Sequence, residues 1–314
     1  MSLFFGIMIV SFVGCSPSVD TEKNTEEFFP NDSLFRITDA QVFGTHNSYH
    51  LAPSADGVAE WNYSHPPLGE QLDRGLRQFE LDIVFEPSEQ ELLVQHIPYI
   101  DYGSHCYRFV DCLHDLKTWS DAHPSHFPIQ VLIEPKDEVA TWSVEGHFDE
   151  VDEAILSIWG DRLVTPSMLQ GDADSVRESV LQDGWPTLEH VRGHAIFVLL
   201  DRGTPQREYT RNLTDISDRV MFPLVDNTHD FAAYFLRDDP FDEGIASLVE
   251  DGFLVRTRGD AGLLYDDERL QAAIHSGAHS ISVDTDQSLG FIHTQNPVQC
   301  NPFADALCRP EDLE

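Results

Sequence analysis

Short apolar runs rich in β-branched and aromatic residues recur along the chain, separated by stretches whose apolar residues fall at helical spacing. The runs are AQVFGT from residue 40, LRQFELDIVF from 76, IQVLIEP from 129, RLVTP from 162, HAIFVLLD from 194, RVMFPLV from 219, FLVRTR from 253 and SISVD from 280. Between them, HFDEVDEAILSIW at 147–159 and ERLQAAIH at 268–275 read as amphipathic helices. A further run, ELLVQHI at 91–97, follows the second strand after a turn-like Pro-Ser pair and reads as its hairpin extension. Eight strand-like runs alternating with helices predict an α/β fold, a single (β/α)8 TIM-type barrel over residues 38–314. No internal repeat or second domain boundary is visible.

The first residues change the picture. MSLFFGIMIVSFVGC carries an apolar run far shorter than a membrane span and ends in small residues and a cysteine, the pattern of a signal peptide over residues 1–15. Its FVGC ending resembles a bacterial lipoprotein cleavage box, with Cys15 as the acylated residue and a lipid anchor to the membrane; plain secretion is the alternative. Residues 16–37, polar and acidic, read as a flexible tether. Either route makes the chain extracytoplasmic. There the four remaining cysteines are expected to pair locally as Cys106–Cys112 and Cys300–Cys308, though four cysteines allow three pairings. With 55 acidic against 19 basic residues and a net charge of −36, nucleic acid is disfavoured as a partner, and an anionic membrane repels the chain unless cations intervene. The chain is expected to be monomeric.

A barrel places functional side chains at the C-terminal ends of its strands, and the chemistry-bearing residues fall there. The first run ends at His46-Asn47, the second carries Glu80 and Asp82, the third reaches Glu134, and the run at 253 carries Arg256 and Arg258. Glu80 and Asp82, two apart, face the same side of a strand, where unpaired carboxylates among apolar neighbours demand a cation. With Asn47 and Glu134 they form a set of hard oxygen donors suited to calcium or magnesium. Calcium is preferred because it accepts a looser cage. Two histidines, His46 and His96, with a divalent ion supply the proton transfers and positive charge that cleavage of a phosphodiester by an internal hydroxyl requires. Lys136, Arg256 and Arg258 are candidate substrate contacts, with strand-end ion pairs as the alternative. Asp284 and Asp286 are candidates for sugar hydroxyls. His50 and His65 receive no role, and His123 and His126 fall at the opposite end of the barrel.

GTHNSYH, FELDI, LLVQH and VLIEPKD, in this order, resemble the calcium-dependent phosphoinositide-specific phospholipases C of the PI-PLC-like phosphodiesterase superfamily; GFLVRTRGD and SGAHSISVDTD look like the last two strands of its bacterial branch. The resemblance covers about residues 38–295. It implies His46 and His96 as catalytic histidines, His96 protonating the departing diacylglycerol oxygen. It also implies Asn47, Glu80, Asp82 and Glu134 as calcium ligands, and His46 or Glu134 as the base. The implied reaction on a phosphoinositide-like lipid gives a cyclic inositol phosphate. Two other readings stay open. A glycerophosphodiester phosphodiesterase would open with His-Arg-Gly where this chain has HNS, and a catalytically silent surface lipoprotein would bind calcium or lipid without turnover.

Overall fold

The structure, a computed structural model, describes residues 29–53, 58–137, 139–292, 296, 298–304 and 306–314. The expected signal segment with Cys15, and residues 16–28 of the tether, lie outside them. Among the described residues, ten strands form one sheet. They are β1 (Ala40–Thr45), β2 (Gln78–Glu86), β3 (Glu91–Val94), β4 (Ile129–Pro135), β5 (Ala195–Leu199), β6 (Met221–Pro223), β7 (Tyr234–Leu236), β8 (Leu254–Arg258), β9 (Ser280–Val283) and β10 (Val298–Cys300). Eight run parallel in the ladder order β6-β5-β4-β2-β1-β9-β8-β7, with helices between them, so the α/β barrel expected from the sequence is the fold. No ladder joins β6 to β7 among the described residues, which leaves one seam. β3 folds back antiparallel on β2, pairing Ile83 with Val94, and β10 lies antiparallel on β1, pairing Ala40 with Cys300.

Two departures cancel in the strand count. RLVTP is not a strand: Leu163 makes a single bridge to Ala195, and Thr165 instead caps the helix Pro166–Gln170 by accepting from the Met168 N–H. A threonine followed by proline is a helix start, and that local chemistry overrides the apolar run. The missing barrel strand is β7, three residues long and too short to show a period.

Side-chain alternation divides each strand between two faces. Phe79, Leu81 and Ile83 of β2, Val131 and Ile133 of β4, and Ile281 and Val283 of β9 pack outward in one apolar cluster with helices such as Phe148–Trp159. That helix buries Val151, Ile155 and Trp159 at helical spacing. The other face is partly polar and is bonded across the barrel: Ser280 Oγ lies 2.6 Å from Gln130 Oε1, Tyr234 Oη 3.1 Å from the same oxygen, and Ser282 Oγ on Gln78 Oε1. These pairs join strands that are not ladder neighbours, so they cross the interior.

The packed body begins before residue 38. Asp32 pairs with Arg192 at 2.6 Å, Asn31 Nδ2 donates to Asp312 at 2.7 Å, and Phe35 and Ile37 are buried. The last part of the stretch expected as tether is therefore docked, because it carries apolar residues that the barrel covers. Both local disulfides, Cys106–Cys112 and Cys300–Cys308, are present. No helix among the described residues is long and apolar enough to cross a membrane.

Candidate active site

β1 carries its site residues where close packing puts them. A Cβ on Gly44 would meet Gln78 O at 2.1 Å, so only glycine lets β1 lie this near β2. Two residues on, His46 shares the inward face, and Asn47 turns the chain away with φ 45°, a conformation asparagine tolerates. His46 Nδ1 lies 3.0 Å from Asp284 Oδ1 and its Nε2 3.5 Å from Glu80 Oε1. The second oxygen of Asp284 accepts from Arg258 Nη2, and the backbone N–H groups of Asp284 and Thr285 donate to buried Asp260. Burial pushes the Asp284 carboxyl up, but His46 and Arg258 outweigh it and hold the group at about 2. Asp284 is therefore an ionised acceptor that fixes the His46 ring.

Glu80, Asp82 and Glu134 each offer an oxygen to a cluster in which these atoms lie within 4.8 Å of one another. Parity puts the first two on one face of β2, and the parallel register pairs Asp82 with Glu134 on β4. Burial above all, then Glu134 and Glu80, drives the Asp82 carboxyl well above its ordinary range against the pull of Lys136. Burial also leads the upward shift of Glu134, with Glu80 adding to it and Lys136 opposing. A divalent cation opposes both shifts, because its charge stabilises the ionised carboxylates. The donors fit such an ion on their own terms: Asp82 lacks a hydrogen-bond donor at either oxygen, and Asn47 Oδ1 is buried without a partner while its Nδ2 donates to Tyr63 Oη at 3.1 Å. Lys136 Nζ, 3.2 Å from Asp82 Oδ2, is an ion-pair neighbour there rather than an aligned hydrogen bond. Oxygens left bare in an interior, with no sulfur or imidazole among them, match calcium.

His96 follows β3, and the Gln95 N–H donates to the Asp82 carbonyl at 3.1 Å, which ties the backbone before the second histidine to β2 at Asp82. Its Nδ1 lies 2.8 Å from Asp101 Oδ2, and Trp61 sits edge-on to its ring. Of the cations expected to touch substrate, Arg256 is committed elsewhere. At 2% exposure it donates to Ser282 Oγ, Asp238 Oδ1 and Glu80 Oε2, which makes it the strut that holds Glu80. Lys136 donates to Glu134 Oε1 at 3.0 Å, and Arg258 holds Asp284. A cavity of about 380 Å³ opens over the site, lined by His46, Glu80, Glu134, Arg256 and Arg258, with Asp201 and Arg202 from the loop after β5. The size suits one sugar phosphate. Sequence reading had not singled out Arg202, Asp238, Tyr63 or Asp101; all four sit in loops where no periodicity marks them. His123 and His126 line a separate pocket with Arg77, Trp119 and Glu314, beside residues that precede β2 and β4 at the other end.

The family described as phosphoinositide phospholipase C, Ca2+-dependent, matches residues 35–90 and 86–310. The chain belongs to that family. It is accordingly a phosphoric diester hydrolase that uses calcium, with phosphodiesterase activity on phosphoinositides. Among solved structures it is similar to a Ca2+-dependent phosphatidylinositol-specific phospholipase C from Streptomyces antibioticus, at 20% identity, TM-score 0.65, with 85% of this chain and 99% of that one covered. A calcium-dependent phosphoinositol-specific phospholipase C from a Gram-negative Pseudomonas matches at 18% identity and TM-score 0.58, covering 81% and 91%. At these identities the likeness confirms the barrel. No curated protein sequence matches the chain.

Proposed function

We propose that the protein is an exported enzyme that cleaves phosphatidylinositol-like lipids by intramolecular attack, releasing diacylglycerol and a cyclic inositol phosphate. The observation that carries this reading is the oxygen cluster of Glu80, Asp82 and Glu134, with both Asp82 oxygens and Asn47 Oδ1 left without a hydrogen-bond partner, together with two histidines each held by a carboxylate. In this reading those four residues hold the calcium. Bound there, the ion supplies positive charge to the phosphoryl group and acidifies the attacking hydroxyl. A ring oxygen bonds to phosphorus while Glu134 takes its proton. The bond from phosphorus to the diacylglycerol oxygen breaks, and that oxygen takes a proton from His96 Nε2. His46, with Nδ1 held by ionised Asp284, turns Nε2 to the phosphoryl oxygen, and Arg258 adds charge at the same edge. Lys136 tempers the repulsion within the carboxylate cluster.

The N-terminal pattern supports export, with acylation of Cys15 as the anchor. Phosphorus NMR of the products from phosphatidylinositol, with and without calcium, tests the chemistry. A cyclic phosphodiester signal that disappears in excess chelator and in His46→Ala is expected. Undiminished turnover under either condition overturns the reading, and cleavage of glycerophosphoinositol in preference to the lipid would move the substrate to the water-soluble class.

A further inference from the structure

We propose that Asp101 is the positioning residue of His96 and that His50 clamps Asp101, so that a His50–Asp101–His96 relay sets the orientation of the group that protonates the leaving oxygen. The inference rests on the reading of His96 as that acid. Asp101 is fully buried, and the two rings are its side-chain partners: His96 Nδ1 at 2.8 Å from Oδ2, and His50 Nε2 at 3.0 and 3.1 Å from the two oxygens. Burial pushes its carboxyl up, yet the hydrogen bonds from His50 and His96 prevail and hold it below its ordinary value, so it accepts from both. The other nitrogen of His50, Nδ1, is 2.9 Å from the Tyr63 carbonyl, which only accepts. Nδ1 of His50 is therefore a donor, and its Nε2 faces both oxygens of Asp101. Held between the two rings, Asp101 receives the Nδ1–H of His96, which leaves His96 Nε2 to exchange a proton with the substrate.

The backbone around the relay is built to hold it. The His105 N–H donates to Tyr49 O at 3.0 Å and the Leu51 N–H to Gly103 O at 3.1 Å, so the loop after β1 is zipped to the loop after β3. A Cβ on Gly103 would lie 2.2 Å from Leu51 O, so the approach needs glycine. His50 stacks on Tyr63 with ring centroids 4.3 Å apart, and Tyr63 Oη accepts from Asn47. The relay thus joins the His96 loop to a proposed calcium ligand.

The test compares two substrates, phosphatidylinositol and an inositol phosphate with a nitrophenyl leaving group, because only the alkoxide of the first needs a proton on departure. Asp101→Asn is expected to lower kcat on the lipid by on the order of 100-fold and on the nitrophenyl ester by less than about 5-fold. His50→Gln, which still donates one hydrogen bond to Asp101, is expected to show the same contrast at roughly a tenth of the size. His96→Gln is the reference. If it shows no contrast, the assignment of His96 fails; if it shows the contrast while both other variants lose activity equally on the two substrates, or lose none, the relay is overturned. Should Asp101→Asn fail to fold, His50→Gln decides alone.

Discussion

Arg256 gives the sharpest test of how the site is held, because two readings of it predict different losses. As a substrate contact, Arg256→Met would raise KM and leave the fold alone. As a strut, its removal strands Glu80, 1% exposed, without the 2.9 Å partner that balances its charge. Removing one member of a buried ion pair costs about 3–5 kcal/mol. The loss of bonds to Ser282 and Asp238 adds to that, while methionine keeps most of the packing. For a domain of this size that corresponds to a melting temperature lowered by on the order of 10 °C without calcium. Calcium, drawn to the same carboxylate, restores part of the missing charge, so the calcium-induced rise in Tm is expected to be larger in Arg256→Met than in the parent protein. Thermal melts of both proteins with chelator and with saturating calcium measure this. A variant that melts within about 1 °C of the parent under both conditions, with only KM raised, refutes the strut. Equal losses with and without calcium refute its link to the metal.

Asp284→Asn removes the charge that fixes the His46 ring and is expected to lower kcat by on the order of 100-fold with calcium affinity retained, read by steady-state kinetics and calcium titration. Gly44→Ala forces a Cβ onto Gln78 O and is expected to cost at least about 3 kcal/mol, measured by urea unfolding. His126 tests acid stability: burial depresses it from 6.5 to about 3, so the unfolded chain takes a proton below pH 6.5 that the folded chain refuses. Its contribution to stability is whole above that value and is lost progressively as pH falls toward 3. Between pH 7 and pH 5 the loss is about 2 kcal/mol, and His126→Gln should narrow the stability gap between those two pH values by that amount. An unchanged gap would show that another group governs it.

Much of the site was legible because strand parity and barrel topology leave little freedom. Once β2 is a strand, Glu80 and Asp82 must share a face, and once β4 runs parallel beside it, Glu134 must sit opposite Asp82. Partner choice was not legible. Arg256 and Arg258 have the same parity and both line the cavity, yet one is committed to Glu80 and the other to Asp284, a difference set by depth in the barrel. β7 escaped notice because three residues carry no period, and RLVTP misled because a helix cap can follow any apolar pair. Asp101 and Tyr63 lie in loops, where the contacts that give them meaning join segments distant in sequence.

The unpaired flank between β6 and β7 has a bearing on how such an enzyme diversifies. Every acid, amide and imidazole assigned to the chemistry sits on or beside β1, β2, β3, β4 and β9, whereas Leu224 and Leu236, which line the cavity, come from the ends of the two strands that leave the cylinder open. Substitutions along that gap can reshape the room for a head group while the catalytic wall keeps its register, so selectivity and reactivity are free to evolve on separate sides of one barrel.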